Sequence, residues 1–299
     1  MKRKSKVLAL ALCLSIFAGM ALGSGSSDSD DNTKSIVATG GSGSGSGSAS
    51  SSADVTIEET VLVDQDGIKI TATEYESDSI WGDSINLLIE NNTDTDYTIG
   101  CDALIVNNFM ITDLFAKTVA AGKSANESMY LSSSELEAAG IDNVGQVEMY
   151  FHAYDDSYDN LFSDVYSVVK TSLYSNMDTS SDIKGTELYN ANGIKIIGMA
   201  VDEDSFWGMS IVLYCENTSD KNVTISVDDL SVNGFMMDGY FSSTVYANKK
   251  AVDDITLFSS DLEDNGIESI ETVELKFTIY NADSYETIAK SDAITFNAQ

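Results

Sequence analysis

The chain carries one pattern twice in a fixed register, and this limits its fold more than any other feature. The first copy runs from Gly67-Ile68-Lys69-Ile70 through Trp81-Gly82 and Glu90-Asn91 to Val106-Asn107 and Phe151. The second has Gly193-Ile194-Lys195-Ile196, Trp207-Gly208, Glu216-Asn217, Val232-Asn233 and Phe277. Each pair is 126 positions apart (193 − 67, 207 − 81, 216 − 90, 233 − 107, 277 − 151), so no gap intervenes between Gly67 and Phe151. A register held that long means one folding unit used twice. The 299 residues then divide into two units of roughly 115 residues, each large enough to bury its own core.

Within a copy the periodicity is that of strands. Ile85, Leu87 and Ile89 alternate with Asn86, Leu88 and Glu90, and Ile211, Leu213 and Cys215 take the same inner positions in the second copy. Val147, Met149 and Phe151 alternate with Glu148, Tyr150 and His152, which places the latter three on a polar face. There is no proline, so turns rest on Gly, Asn, Asp and Ser. Asp64-Gln65-Asp66-Gly67 and Asn190-Ala191-Asn192-Gly193 read as hairpin turns, as do Asn107-Asn108 and Asn233-Gly234. Ser134-Glu135-Leu136-Glu137 and Ser260-Asp261-Leu262-Glu263 have the Ser-x-x-Glu form of a capping box, with Gly140 and Gly266 as stops for a short helix.

About seven or eight short antiparallel strands per copy predict an all-β chain, two tandem immunoglobulin-like antiparallel β-sandwiches each with one short helix. A barrel is the alternative. The expected organisation is a signal peptide over 1–23, a flexible Gly/Ser/Asp-rich linker over 24–56, sandwiches over 57–172 and 184–299, and an interdomain link over 173–183.

The string Ile211…Glu216-Asn217, Val232-Asn233-Gly234, Ala247-Asn248-Lys249 and Ser260-Asp261-Leu262-Glu263…Gly266-Ile267 resembles an uncharacterised extracellular tandem repeat. That repeat occurs in surface lipoproteins of Gram-positive anaerobic bacteria. The first copy departs at Asn108, where the pattern has Gly, and carries Ala121-Gly122-Lys123. Asp83 and Met209 stand where the family often has proline after Trp-Gly. The resemblance implies a secreted or surface-attached β-rich module and brings no functional residues with it.

The N-terminus agrees with export. Lys2, Arg3, Lys4 and Lys6 precede an apolar run from Val7 to Phe17, too short to span a bilayer, and then small residues to Gly23. Ala21-Leu22-Gly23 looks like a lipoprotein processing site, with Ser24 where the lipid-bearing cysteine would stand. Membrane association is therefore expected only through this signal or lipoprotein-like segment, and the location is extracellular, secreted or at the cell surface. The Gly/Ser-rich linker has an r.m.s. reach of about 30 Å.

The formal net charge is −32, and the 12 lysines that remain without the N-terminal cations face 48 acids, a balance of −36 (12 − 48). Phosphate-driven binding of nucleic acid is thereby excluded. The only histidine, His152, has Thr278 as its counterpart and reads as a surface residue. No nucleophile–base set, His/Cys metal spacing or phosphate loop is shared by the copies, so no catalytic residue is assigned and an enzyme is not expected. Cys101 and Cys215 align with Val227 and Ile89 and read as small buried hydrophobes, an interdomain disulfide being the alternative.

Trp81 and Trp207 are the shared residues with a claim to function. They are either core plugs closing one end of each sandwich or exposed platforms for a glycan ring or a partner side chain. Acidic loops offer weak calcium candidates in Asp94, Asp96, Asp202 and Asp204, without the spacing of a known calcium loop; no other cofactor is expected. Phe109-Met110-Ile111 with Leu114-Phe115, and Phe235-Met236-Met237 with Tyr240-Phe241, are apolar patches suited to a partner or to domain packing. The function expected is a non-catalytic binding or adhesion module for an extracellular protein or glycan. Carbohydrate binding through the tryptophans and a purely structural spacer are the alternatives.

Overall fold

The structure, a computed structural model, describes residues 55–297 apart from 80–81, 113, 178, 180–182 and 206. The expected signal peptide, most of the expected linker and Trp81 lie outside the described residues. The first copy comprises β1 (Thr60–Gln65), β2 (Ile68–Ser79), β3 (Gly82–Asn91), β4 (Tyr97–Val106), β5 (Phe109–Ile111), β6 (Ala116–Val119), β7 (Ser124–Tyr130), α1 (Ser133–Ala138), β8 (Gln146–Tyr154) and β9 (Asn160–Lys170). The second comprises β10 (Thr186–Ala191), β11 (Ile194–Ser205), β12 (Gly208–Asn217), β13 (Val223–Val232), β14 (Phe235–Met236), β15 (Ser242–Val245), β16 (Lys249–Phe258), α2 (Ser259–Asp264), β17 (Thr272–Asn281), β18 (Thr287–Lys290) and β19 (Ile294–Asn297).

Each copy is a two-sheet antiparallel sandwich. The strand order β1-β2-β3-β7 of the first copy matches β10-β11-β12-β16 of the second. In the facing sheets β4 and β8 are paired centrally, as are β13 and β17. The chain crosses between sheets after β3, returns at β7 and crosses again to β8, which is the Greek-key wiring of an immunoglobulin-like sandwich. The alternating residues read from sequence fill the core: Ile85, Leu87, Ile89, Ile211, Leu213, Cys215, Phe151 and Phe277 are all buried. Each such aliphatic or aromatic side chain contributes about 1.5–3 kcal/mol of transfer free energy.

Turn chemistry follows the sequence. Asp66-Gly67 (φ 51° and 84°), Asn192-Gly193 (55° and 78°), Asn107-Asn108 (47° and 72°) and Asn233-Gly234 (51° and 84°) all take the left-handed pair required by a type I′ hairpin. The expected capping boxes do not form. The helices start two residues earlier, after Ser132 and Phe258, with no side-chain cap. In α1 the Glu135 carboxylate instead accepts from the Thr112 N–H at 2.7 Å. The C-terminal stops are as expected: Gly140 N–H donates to Glu137 O and Ile141 N–H to Leu136 O, and Gly266 and Ile267 repeat this.

Two asparagines of the repeated pattern act as clamps. Asn91 is buried at the end of β3; its Nδ2 donates to Thr95 O and Val119 O, and its Oδ1 accepts from Thr93 N–H and Oγ1. Asn217 does the same with Lys221, Val245 and Ser219. Asn107 and Asn233 each accept two backbone N–H groups ahead of β8 and β17 and donate to a nearby carbonyl. These side chains replace backbone partners where the strand ladder ends.

The copies belong to one compact unit and share a sheet. β5 of the first copy pairs in parallel with β16 of the second through Phe109 and Lys250, giving the continuous order β10-β11-β12-β16-β5-β4-β8-β9. Phe109 packs on Tyr214 (6.4 Å between centroids), and Tyr150 meets Tyr246 edge-on at 5.0 Å. Lys249 reaches Glu148 at 2.5 Å. The face that alternation marks as polar is therefore only partly so: Glu148 is buried, because the second copy covers it. The stretch after β9 packs on the first copy, with Lys170 over the Tyr174 ring at 4.0 Å.

Candidate functional site

The β11–β12 hairpin closes at the Ser205–Gly208 pair, and Trp207 stands on that tip. Its carbonyl accepts from the Ser259 backbone N–H at 2.9 Å and from Ser259 Oγ at 3.1 Å, which ties the tip to the first residue of α2. Gly208 has φ 149°, and a Cβ there would lie 2.2 Å from the Leu257 carbonyl oxygen. Gly82 in the first copy has φ 99°, with the Leu131 carbonyl 2.6 Å from such a Cβ. The glycine of Trp-Gly thus has a backbone reason: the hairpin end passes too close to its neighbouring strand for any side chain.

The tryptophan has no such core role in the second copy. Trp207 is 59% exposed, which corrects the core-plug reading for that residue. Phe258, paired across the ladder with Gly208, is exposed, and so is Tyr240, bridged to Thr256 two residues before Phe258. Three accessible aromatic rings therefore belong to neighbouring ladder positions at one end of the second sandwich. Sequence reasoning singled out Trp207 but missed Phe258, which occupies an ordinary outward position at the end of β16.

The calcium candidates are not gathered into a site. Asp96 is used by the fold, its Oδ1 accepting from the Ala121 N–H at 2.8 Å, while Asp94 is exposed in the same turn. Asp202 and Asp204 lie on β11 rather than in a loop, because register shifts let that strand run on to Ser205; the Asp204 side chain lies outside the description. Among the described residues no three His, Cys, Asp or Glu side chains converge to hold a metal.

The groove between the copies is acidic. A cleft of about 420 Å³ is lined by Asp102, Glu135, Ser243, Asp253 and Asp254 among others. Comparing the copies explains its charge. Lys117 and Glu127 form a 2.6 Å ion pair in the first copy, and Ser243 and Asp253 occupy those positions in the second. The cation is gone and the carboxylate stays. Burial, with Asp254 and Glu135 adding like charge, pushes the Asp253 carboxyl up to about 6, although the Asp254 N–H and Ser243 hydroxyl donate to it.

His152 is half-buried rather than fully at the surface. Its Nδ1 lies 2.7 Å from Asp102 Oδ1, and its ring stacks on Tyr154, which stacks on Tyr158. Cys101 and Cys215 are both buried and are not joined to each other, so the interdomain disulfide alternative is not formed. Burial raises the Cys215 thiol far above its ordinary range, which leaves it an inert core group. Among the described residues no helix is long and apolar enough to cross a membrane. No protein-family model matches the sequence, and a search of curated proteins finds no match.

Proposed function

We propose that the chain is a non-catalytic binding or adhesion module of the cell exterior, a role the signal-like N-terminus and the resemblance to surface lipoprotein repeats support. It engages its ligand at the Trp207 end of the second sandwich. The observation that carries this reading is the exposure of Trp207 on a hairpin tip that is itself held by two hydrogen bonds from Ser259. A large aromatic held in solvent on a fixed backbone offers stacking area at little entropic cost, the property used for sugar rings and for protein hot spots. The ligand class favoured is a glycan, whose apolar ring faces fit aromatic side chains. A panel of wall and surface glycans titrated against the full chain tests this. Saturable binding that Trp207→Ala abolishes without moving the melting temperature supports it, and binding indifferent to Trp207→Ala removes it.

A second reading, a rigid spacer, is favoured by the joint between the copies. The shared sheet and the buried Glu148–Lys249 pair fix one copy against the other. It gains if no glycan or surface protein gives saturable binding.

A further inference from the structure

The joint between the copies is heterologous: the first contributes its β5 side and the second its β16 edge. Both copies carry both surfaces, so one of each is left over. β7, the counterpart of β16, ends its sheet, and β14, the counterpart of β5, ends another among the described residues. The contrast in exposure is large. Phe109 is 2% exposed under the second copy, whereas its counterpart Phe235 is 47% exposed and Met236 beside it 67%.

We propose that a second copy of this chain occupies these surfaces, the β14 side of one molecule docking on the β7 edge of the next and repeating the intrachain joint. The central elements of that joint have counterparts on the open surfaces. Glu148 and Lys249 correspond to Glu274 and Lys123, both exposed, so the same charge pair forms across the contact. Phe109 on Tyr214 becomes Phe235 on Leu88, an aromatic on a half-buried aliphatic. The backbone bond from Lys250 N–H to Asn108 O becomes one from Ser124 N–H to Gly234 O.

Other elements are lost and set the strength. Tyr150 and Tyr246 correspond to Lys276 and Ala120, and Val252 to Asn126, so the new contact is less apolar than its template and is weak and reversible. A heterologous contact of this kind is not satisfied in a dimer and extends into chains of molecules, or into rings where the rotation between copies closes. The net charge of −32 opposes association, so screening by salt promotes it, the Debye length being about 8 Å at physiological ionic strength.

Sedimentation equilibrium of the full chain in physiological salt, from micromolar to millimolar concentration, tests the proposal. The weight-average mass is expected to rise with concentration without levelling at a dimer. Phe235→Asp, Lys123→Glu and Glu274→Lys, all at exposed positions, should each hold the chain monomeric with unchanged circular dichroism. An equimolar mixture of the Lys123→Glu and Glu274→Lys chains should restore growth, because each repels itself and matches the other. A monomer at every concentration overturns the proposal, as does self-association that Phe235→Asp and Lys123→Glu leave intact. A mixture that stays monomeric overturns the head-to-tail pairing.

Discussion

Lys249 of the second copy places its ammonium 2.5 Å from the Glu148 carboxylate of the first, and the two side chains are 14% and 5% exposed. Asn108 Oδ1, the Gln146 amide and the Tyr166 hydroxyl complete the shell. A pair so far out of water is costly to break from one side, because the surviving charge keeps only neutral hydrogen-bond partners and no counter-charge. Lys249→Met or Glu148→Leu alone should each destabilise the chain by about 3 kcal/mol, and the double replacement by clearly less than their sum. Urea denaturation of the four proteins checks this. Additive losses would mean that the pair does not couple the copies.

Much of the fold is legible in the sequence because its causes are local. Alternation fixes which side of β3, β8, β12 and β17 faces inward, and the Asn/Asp-Gly pairs fix the hairpins. The joint is not legible, because Phe109 and Phe235, or Glu148 and Glu274, are identical residues in similar contexts. Which of each is covered depends on how the copies dock, a long-range relation that no local pattern records. Trp207 was ambiguous for a related reason, since a tryptophan at a strand end fits a plug or a platform equally until the neighbouring loops are placed. The capping boxes failed because a helix of six residues is positioned by its flanking strands rather than by its own cap.

Asp253 gives the groove a pH signature. Its folded-state value of about 6 lies above the ordinary 3.8, so between these values the folded chain holds a proton that the unfolded chain has released. Stability from this group is complete below about pH 4, falls as the pH rises towards 6 and is constant above, by on the order of 3 kcal/mol. Asp253→Asn should remove that fall. The free-energy difference between variant and parent, followed by denaturant titration from pH 4 to 7, should therefore move in favour of the variant as pH rises. A difference independent of pH would show that Asp253 titrates alike in both states.

Asn217 should be among the most sensitive polar positions. Its amide donates to Lys221, Val245 and Tyr246 carbonyls while its oxygen accepts from Ser219. Asn217→Ala leaves these groups without that partner, and Val245 is buried, so a loss of roughly 3 kcal/mol is expected. Asn217→Asp restores the acceptor but turns a carboxylate oxygen towards carbonyls. It should lose more stability at pH 7 than at pH 4, where the proton makes it a donor again. Equal losses at both pH values would remove the donor role.

Trp207 and Gly208 are adjacent, repeated and opposite in consequence. Trp207→Ala removes an exposed ring and should leave the melting temperature within error while abolishing ligand capture. Gly208→Ala puts a methyl group 2.2 Å from the Leu257 carbonyl at a φ of 149°, so the hairpin tip must lift away from β16. The expected cost is about 2 kcal/mol, or roughly 5 °C in melting temperature for a unit of this size. Differential scanning calorimetry separates the two. A large loss for Trp207→Ala would return the tryptophan to the core and withdraw its role as a platform, because a buried ring costs about 3–5 kcal/mol to truncate. Retained stability in Gly208→Ala would mean that the tip moves freely, and a platform on a mobile tip loses the fixed geometry that stacking needs.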